Sequence, residues 1–249
     1  MAESSLAAGQ PGEEQRLPID ASATVAAGHP PAAVHHPAHL AHHFDDVEQQ
    51  REAATLGMWA FLATEVLFLG ALIGAYVVYR VSYPYEFAVA ASHLNVLLAT
   101  INTAVLLTSS FTMALAVHAA QTGSRRGLIL FLLLTMLFGA AFLGIKGLEY
   151  YLEYEEHLVP LLGFQFIFEG ADPHKAELFF NFYFALTGLH ALHMIIGLGV
   201  LAVMVVLAWR GHFSPDYYTP IEVSGLYWHL VDIVWVFLYP LLYLLHQRV

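Results

Sequence analysis

The stretch Glu222-Val-Ser-Gly-Leu-Tyr-Trp-His-Leu-Val-Asp-Ile-Val-Trp-Val-Phe-Leu-Tyr239 is apolar over nearly its whole length and still carries His229 and Asp232. Lipid cannot satisfy a free backbone, so a run of this kind crosses a bilayer as a helix. Ionisable groups at membrane depth are expensive and face protein rather than lipid. One reading therefore sets the fold class (a helical membrane bundle) and raises the question of function, which is what the buried polar groups do.

Working outward, four more apolar runs precede this one. The five spans are expected at about 54–80, 95–120, 127–151, 177–209 and 223–246. The connections are short except 152–176. The chain has 249 residues, 58% of them hydrophobic and 12% charged, and this balance excludes an ordinary soluble domain. The absence of cysteine excludes disulfides and thiolate sites, and a net charge of −11 argues against nucleic acid as a partner. Residues 1–50 are of another kind, rich in Ala, Pro, Gly, Glu and His without periodicity, and read as a disordered soluble tail. His29, His35, His36, His39, His42 and His43 cluster there, but their irregular spacing and the interrupting prolines favour a flexible tail over a metal site. The fold class is thus an all-α integral membrane protein, a five-helix bundle with a disordered N-terminal tail.

Arg51, Arg125, Arg126 and Arg210 fall near helix ends on the N-terminal side, against Arg80, Lys175 and Arg248 opposite. That excess places the N-terminus in the cytoplasm and the C-terminus outside. The long loop and its approach then lie outside with Glu149, Glu153, Glu155, Glu156, Glu169, Asp172 and Glu177. Such an acidic face would steer a basic partner, although a solvated loop explains the charges as well.

Within the spans, Glu65 sits roughly 16 Å from the start of the first, about half-way across the hydrocarbon. A carboxyl there is a proton-handling group or a hydrogen-bonding strut. His190 and His193 share a face of the fourth span, with Gly188, Gly197 and Gly199 allowing close helix approach. They read as packing histidines, with metal or haem ligation by His118, His190, His193 and His229 as the rival. The His229/Asp232 stripe, the His190/His193 stripe and Glu65 are expected to converge, so that each charge-capable group finds a partner. Asn95, Asn102 and Ser109 at heptad spacing mark tight helix contact on the second span. Trp59, Trp209, Trp228, Tyr79, Tyr83, Tyr150 and Tyr151 fall toward span ends as an aromatic belt. Arg210 ends the fourth span, where it snorkels or meets a lipid phosphate.

Five stretches then combine in order. They are Gly57-Met-Trp-Ala-Phe-Leu-Ala-Thr-Glu65-Val-Leu-Phe, Asn102-Thr-Ala-Val-Leu-Leu-Thr-Ser-Ser110, Phe142 to Tyr151 ending in Glu-Tyr-Tyr, Thr187-Gly-Leu-His-Ala-Leu-His-Met-Ile-Ile-Gly197, and Tyr227-Trp-His-Leu-Val-Asp-Ile-Val-Trp235. Together they resemble subunit III of the haem–copper (cytochrome c) oxidases, over about residues 52–249. The resemblance implies a bundle with a lipid-lined cleft, docked on catalytic subunit I beside subunit II and small subunits. It implies no redox cofactor and no metal in this chain, with phospholipids bound and haem and copper held by partner subunits.

It further implies support of proton uptake and protection of subunit I during turnover, in a complex that reduces O2 to water and pumps protons in the bacterial inner membrane. By motif position, Glu65 matches the family's carbodiimide-reactive carboxyl and His193 the histidine facing it. Arg210 matches a cleft lipid-binding arginine, with Trp59 beside the cleft, and His229 and Asp232 match a structural last-helix motif. Two departures stand out: five spans replace the seven of mitochondrial-type members, as in the shorter bacterial forms, and Lys146 replaces a common glutamine. The donor is cytochrome c or, for a quinol oxidase, quinol, and a nitric-oxide-reductase-associated protein is a further relative. Rivals of other classes are a self-contained proton or ion transporter and a b-type cytochrome anchor.

Overall fold

The computed structural model describes residues 44–160, 168 and 170–244. Residues 1–43 of the expected tail, with its histidine cluster, lie outside the described residues, as do Glu169 and Arg248.

The described residues are helical, without a strand, and five helices are long and apolar enough to cross a membrane. Helix α1 is Val47–Ser82, α2 Pro84–Ala91, α3 Val96–Gln121, α4 Arg125–Glu155, α5 Pro173–Trp209 and α6 Thr219–Tyr239, which runs on into a π-helical turn, Pro240–Leu244. Local chemistry sets the ends. Asp46 caps α1 by accepting from the Gln49 N–H at 2.7 Å, while the Gln49 side chain reaches back to the Asp45 N–H at 2.8 Å, a capping-box arrangement. This starts α1 well before position 54. Asp172 accepts from the His174 N–H to open α5, with Pro173 in its first turn. Pro240 has no N–H for the α-helical ladder, and the backbone widens there into the π turn.

Helices α3 and α4 interlock through polar side chains that reach the neighbouring backbone. Asn102 donates to the Phe142 carbonyl at 3.3 Å, Ser109 to the Thr135 carbonyl at 3.0 Å, and Thr112 and Thr135 pair at 2.8 Å. Asn95 is not part of this contact: it is exposed and caps α3 by accepting from the Leu98 N–H, because its own backbone stands outside the helix.

Trp228 is the hub of the core. It is fully buried rather than in an aromatic belt, because α4 and α5 each present a glycine to it. A Cβ on Gly139 would lie 2.8 Å from its ring, and one on Gly197 3.0 Å. Its Nε1 donates to Ser109 of α3 at 3.2 Å. Further along α6, Trp235 donates to Thr103 and Tyr239 pairs with Thr100, so α6 is fastened to α3 along its length.

Candidate functional site

Helix α1 is the most exposed span, with only 17% of its most apolar stretch buried against 50% for α6. Its central polar tie is Glu65, whose Oε2 lies 3.1 Å from His193 Nε2 on α5. The other ring nitrogen, Nδ1, is 2.8 Å from the Leu189 carbonyl, which only accepts. Nδ1 is therefore the donor to that carbonyl, and Nε2 faces the carboxyl at hydrogen-bond distance. Tyr227 of α6 donates to the His193 carbonyl at 2.9 Å and fixes α5 at this level. Leu230, Val231 and Val234 close the pair on the α6 side, leaving about 10 Å³ of free space, the threshold for a single water. The arrangement can hold a proton and tie α1 to α5.

His190 lines the same small space without bonding to the pair, and His229 and Asp232 stand apart from it. His190 is buried between Phe142 and Trp235, ring centroids 5.3 and 5.0 Å away, and neither nitrogen has a hydrogen-bond partner among the described residues. It lies one helical turn from His193, and that offset turns it toward α4 and α6 rather than α1. His229 Nδ1 is 2.8 Å from the Ser110 hydroxyl of α3, with Asp232 beside the same hydroxyl. Asp232 is 3% exposed, and among the described residues no donor meets its carboxyl oxygens in hydrogen-bond geometry. The expectation that all these groups converge and pair is thus corrected: the α6 stripe faces α3, because Gly225 on that stripe meets Met113 and Val117. Of the histidines of the haem reading, His193 meets Glu65 and His229 meets Ser110, while His190 sits among aromatic rings and His118 is exposed.

An apolar groove of about 540 Å³ runs between α1 and α6, walled by Trp59, Leu62, Val66, Leu67, Leu226 and Ile233, with the His229 ring at its edge. Trp59 is 57% exposed at its mouth. Near that mouth Arg51 lies over the Tyr218 ring at 5.4 Å and 3.6 Å from Glu222. Arg210 is exposed at the end of α5. The helix terminus does not need it, because Arg125 donates to the Ala208 carbonyl at 3.0 Å and to that of Trp209. The Arg210 guanidinium is left at the same end of the bundle as Trp59.

A second polar cluster went unread in the sequence. Glu149 and Glu153, assigned there to an acidic outer face, are 3% and 6% exposed and lie inside the bundle. Lys146 draws them in. Its ammonium donates to Glu149 at 2.9 Å, Tyr183 at 2.8 Å and Tyr243 at 2.6 Å, with the Tyr150 and Trp235 rings also around it. The signal was the spacing of 146, 149 and 153, which sets all three on one helical face. Tyr243 is held in place by the end of α1: Tyr76 donates to the Leu241 carbonyl at 3.1 Å and accepts from Arg80.

A family model described as cytochrome c oxidase subunit III matches residues 37–247. Among curated proteins, the chain is 29% identical over 205 residues to cytochrome c oxidase subunit 3 of Thermostichus vulcanus, covering 81% of this chain and 92% of that one. It is 30% identical over 191 residues to quinol oxidase subunit 3 of Bacillus spizizenii, covering 76% and 86%. Against cytochrome c oxidase subunit 3 of Gadus morhua, identity is 38% over 143 residues, which cover 57% of this chain and 48% of that longer one.

Proposed function

The chain belongs to the cytochrome c oxidase subunit III family, which includes quinol-oxidase subunits, and from that premise we propose that it is the non-redox accessory subunit of a proton-pumping terminal oxidase. It stabilises the catalytic subunit I, supports proton uptake and holds phospholipid in the groove between α1 and α6. Haem and copper, carried by partner subunits, supply the oxygen chemistry. The complex sits in a bacterial inner membrane with this chain's N-terminus cytoplasmic and its C-terminus outside, beside subunit II and small subunits.

The observation that carries this reading is the contact between Glu65 and His193. It supports a proton held between the most exposed helix and the bundle, beside an apolar groove suited to lipid. Glu65 and His193 act as strut and proton reservoir, while His190, His229 and Asp232 are structural. Acyl chains lie along Leu62, Val66 and Leu67, and Trp59 and Arg210 face headgroups at one end. The donor to the complex is cytochrome c or quinol; the similarity to the Bacillus protein supports the second as directly as the first relative supports the other.

The test is purification under mild detergent from native membranes. Co-purification with a haem- and copper-containing oxidase supports the reading, and its preference between cytochrome c and quinol names the donor. Proton flux in vesicles holding this chain alone would overturn it in favour of a transporter. Haem bands in the isolated chain would do so in favour of a cytochrome anchor.

A further inference from the structure

The cluster at the far end of α4 contains more acid than its donors and its cation can serve. Lys146 uses all three N–H bonds, on Glu149 Oε2, Tyr183 Oη and Tyr243 Oη. Tyr243 in turn donates to Glu149 Oε1 at 2.7 Å. Glu149 therefore receives one donor on each oxygen, and one of those donors is the cation.

Glu153, one turn further along the same face, makes no direct ion pair with Lys146, and its nearest polar neighbour is the Tyr183 hydroxyl. Both of its oxygens are buried and, among the described residues, no donor meets them in hydrogen-bond geometry. The charged and titratable groups around it are Lys146, Glu149 and Glu156 of α4 and Tyr183 of α5, with Tyr243 of the π turn beyond. Tyr183 has a single hydroxyl proton, and Tyr243 Oη stands 3.2 Å from that hydroxyl. A buried carboxylate with neither a cation nor a donor is costly, whereas a neutral acid is not. Among the described residues, one ammonium set against two carboxyls balances when the cluster holds one proton more.

We propose that Lys146, Glu149 and Glu153 form a proton-binding site, distinct from Glu65, in which the Glu153 carboxyl carries an exchangeable proton. The proton enters as a hydronium ion's proton and leaves to water, with no other bond made or broken. Tyr183 Oη is the acceptor beside the acid. Glu156, exposed where α4 ends, puts water within one helical turn of the site. The site does not rest on the role proposed for Glu65, since it belongs to α4, α5 and the π turn.

Infrared difference spectroscopy of the purified complex, titrated with pH, reads the proton directly. The expected result is a protonated-carboxyl stretch that is deuterium-sensitive, titrates, and survives in Glu65→Gln and Asp232→Asn. It should vanish in Glu153→Gln, which mimics the neutral acid and should keep the subunit in the complex. Glu149→Gln should abolish it as well, because the single ammonium is then balanced by Glu153 alone. Persistence of the band in Glu153→Gln, or a full band in Glu149→Gln, would overturn the proposal. So would displacement of the band by sodium or potassium at fixed pH, which would make the occupant a metal cation.

Discussion

The α3–α4–α6 half of the bundle and helix α1 are held in place by different means. In the first, packing and polar contacts coincide: Trp228 sits against two glycines, and Asn102, Ser109 and Thr112 bridge α3 and α4. In the second there is little packing and a few polar ties, namely Glu65 to His193, Tyr76 to the Leu241 carbonyl and Arg51 to Glu222. The same division separates the two ionisable sites. The Lys146 cluster lies buried between α4, α5 and the π turn that ends α6, its Lys146 and Glu149 side chains 3% and 4% exposed. The Glu65–His193 pair stands at the edge of the loose half, at 19% and 15%. Damage in the first half should cost stability, and damage in the second should alter attachment and function.

The largest effect is expected at Lys146. Lys146→Met leaves the buried Glu149 carboxylate without its cation, and loss of one partner from a buried pair costs about 3–5 kcal/mol. The subunit should then be lost from the purified complex, as read by gel. Next is Gly139→Ala, whose new methyl would meet the Trp228 ring at 2.8 Å. Overpacking there should cost about 1–3 kcal/mol, seen as a lower temperature of thermal release from the complex. Gly199→Ala is the matched control, since nothing lies within 4 Å of its added Cβ, and it should change little. Equal effects of the two glycine substitutions would dissolve the contrast between tight and open packing.

The smallest effect is expected outside the membrane, at Glu86 of α2. The Lys175 side chain donates to it at 2.8 Å and holds its carboxyl below the ordinary value of 4.5. A carboxyl whose pKa is lowered on folding contributes stability above its unfolded value, and loses it as pH falls through the folded one. Glu86→Gln should flatten the acid limb of a thermal-stability profile below about pH 4.5 and leave the neutral region nearly unchanged.

The five spans were legible because the length of an apolar run is a property of the chain itself. Helix α2 was not, since eight residues between a bend and a turn carry no span signal. The meeting of Glu65 with His193 came from the resemblance, because partner choice across helices cannot be read from either helix alone. Trp228 was misplaced for a related reason: an aromatic residue near a span end suits an interface, and only Gly139 and Gly197 on other helices reveal the slot it fills. Glu149 and Glu153 resemble loop charge in the sequence because a charge count does not show that Lys146, three residues before the first, shares their helical face.

The claim that Glu65 is both strut and proton holder is tested most directly by comparing oxidase assembled with Glu65→Gln and with Glu65→Leu. Glutamine keeps a hydrogen-bonding partner for His193 Nε2, and leucine keeps none. The account predicts near wild-type subunit content for the first and a several-fold loss for the second, with faster inactivation during turnover in both. Equal and full assembly in the two variants, with wild-type endurance in turnover, would contradict it.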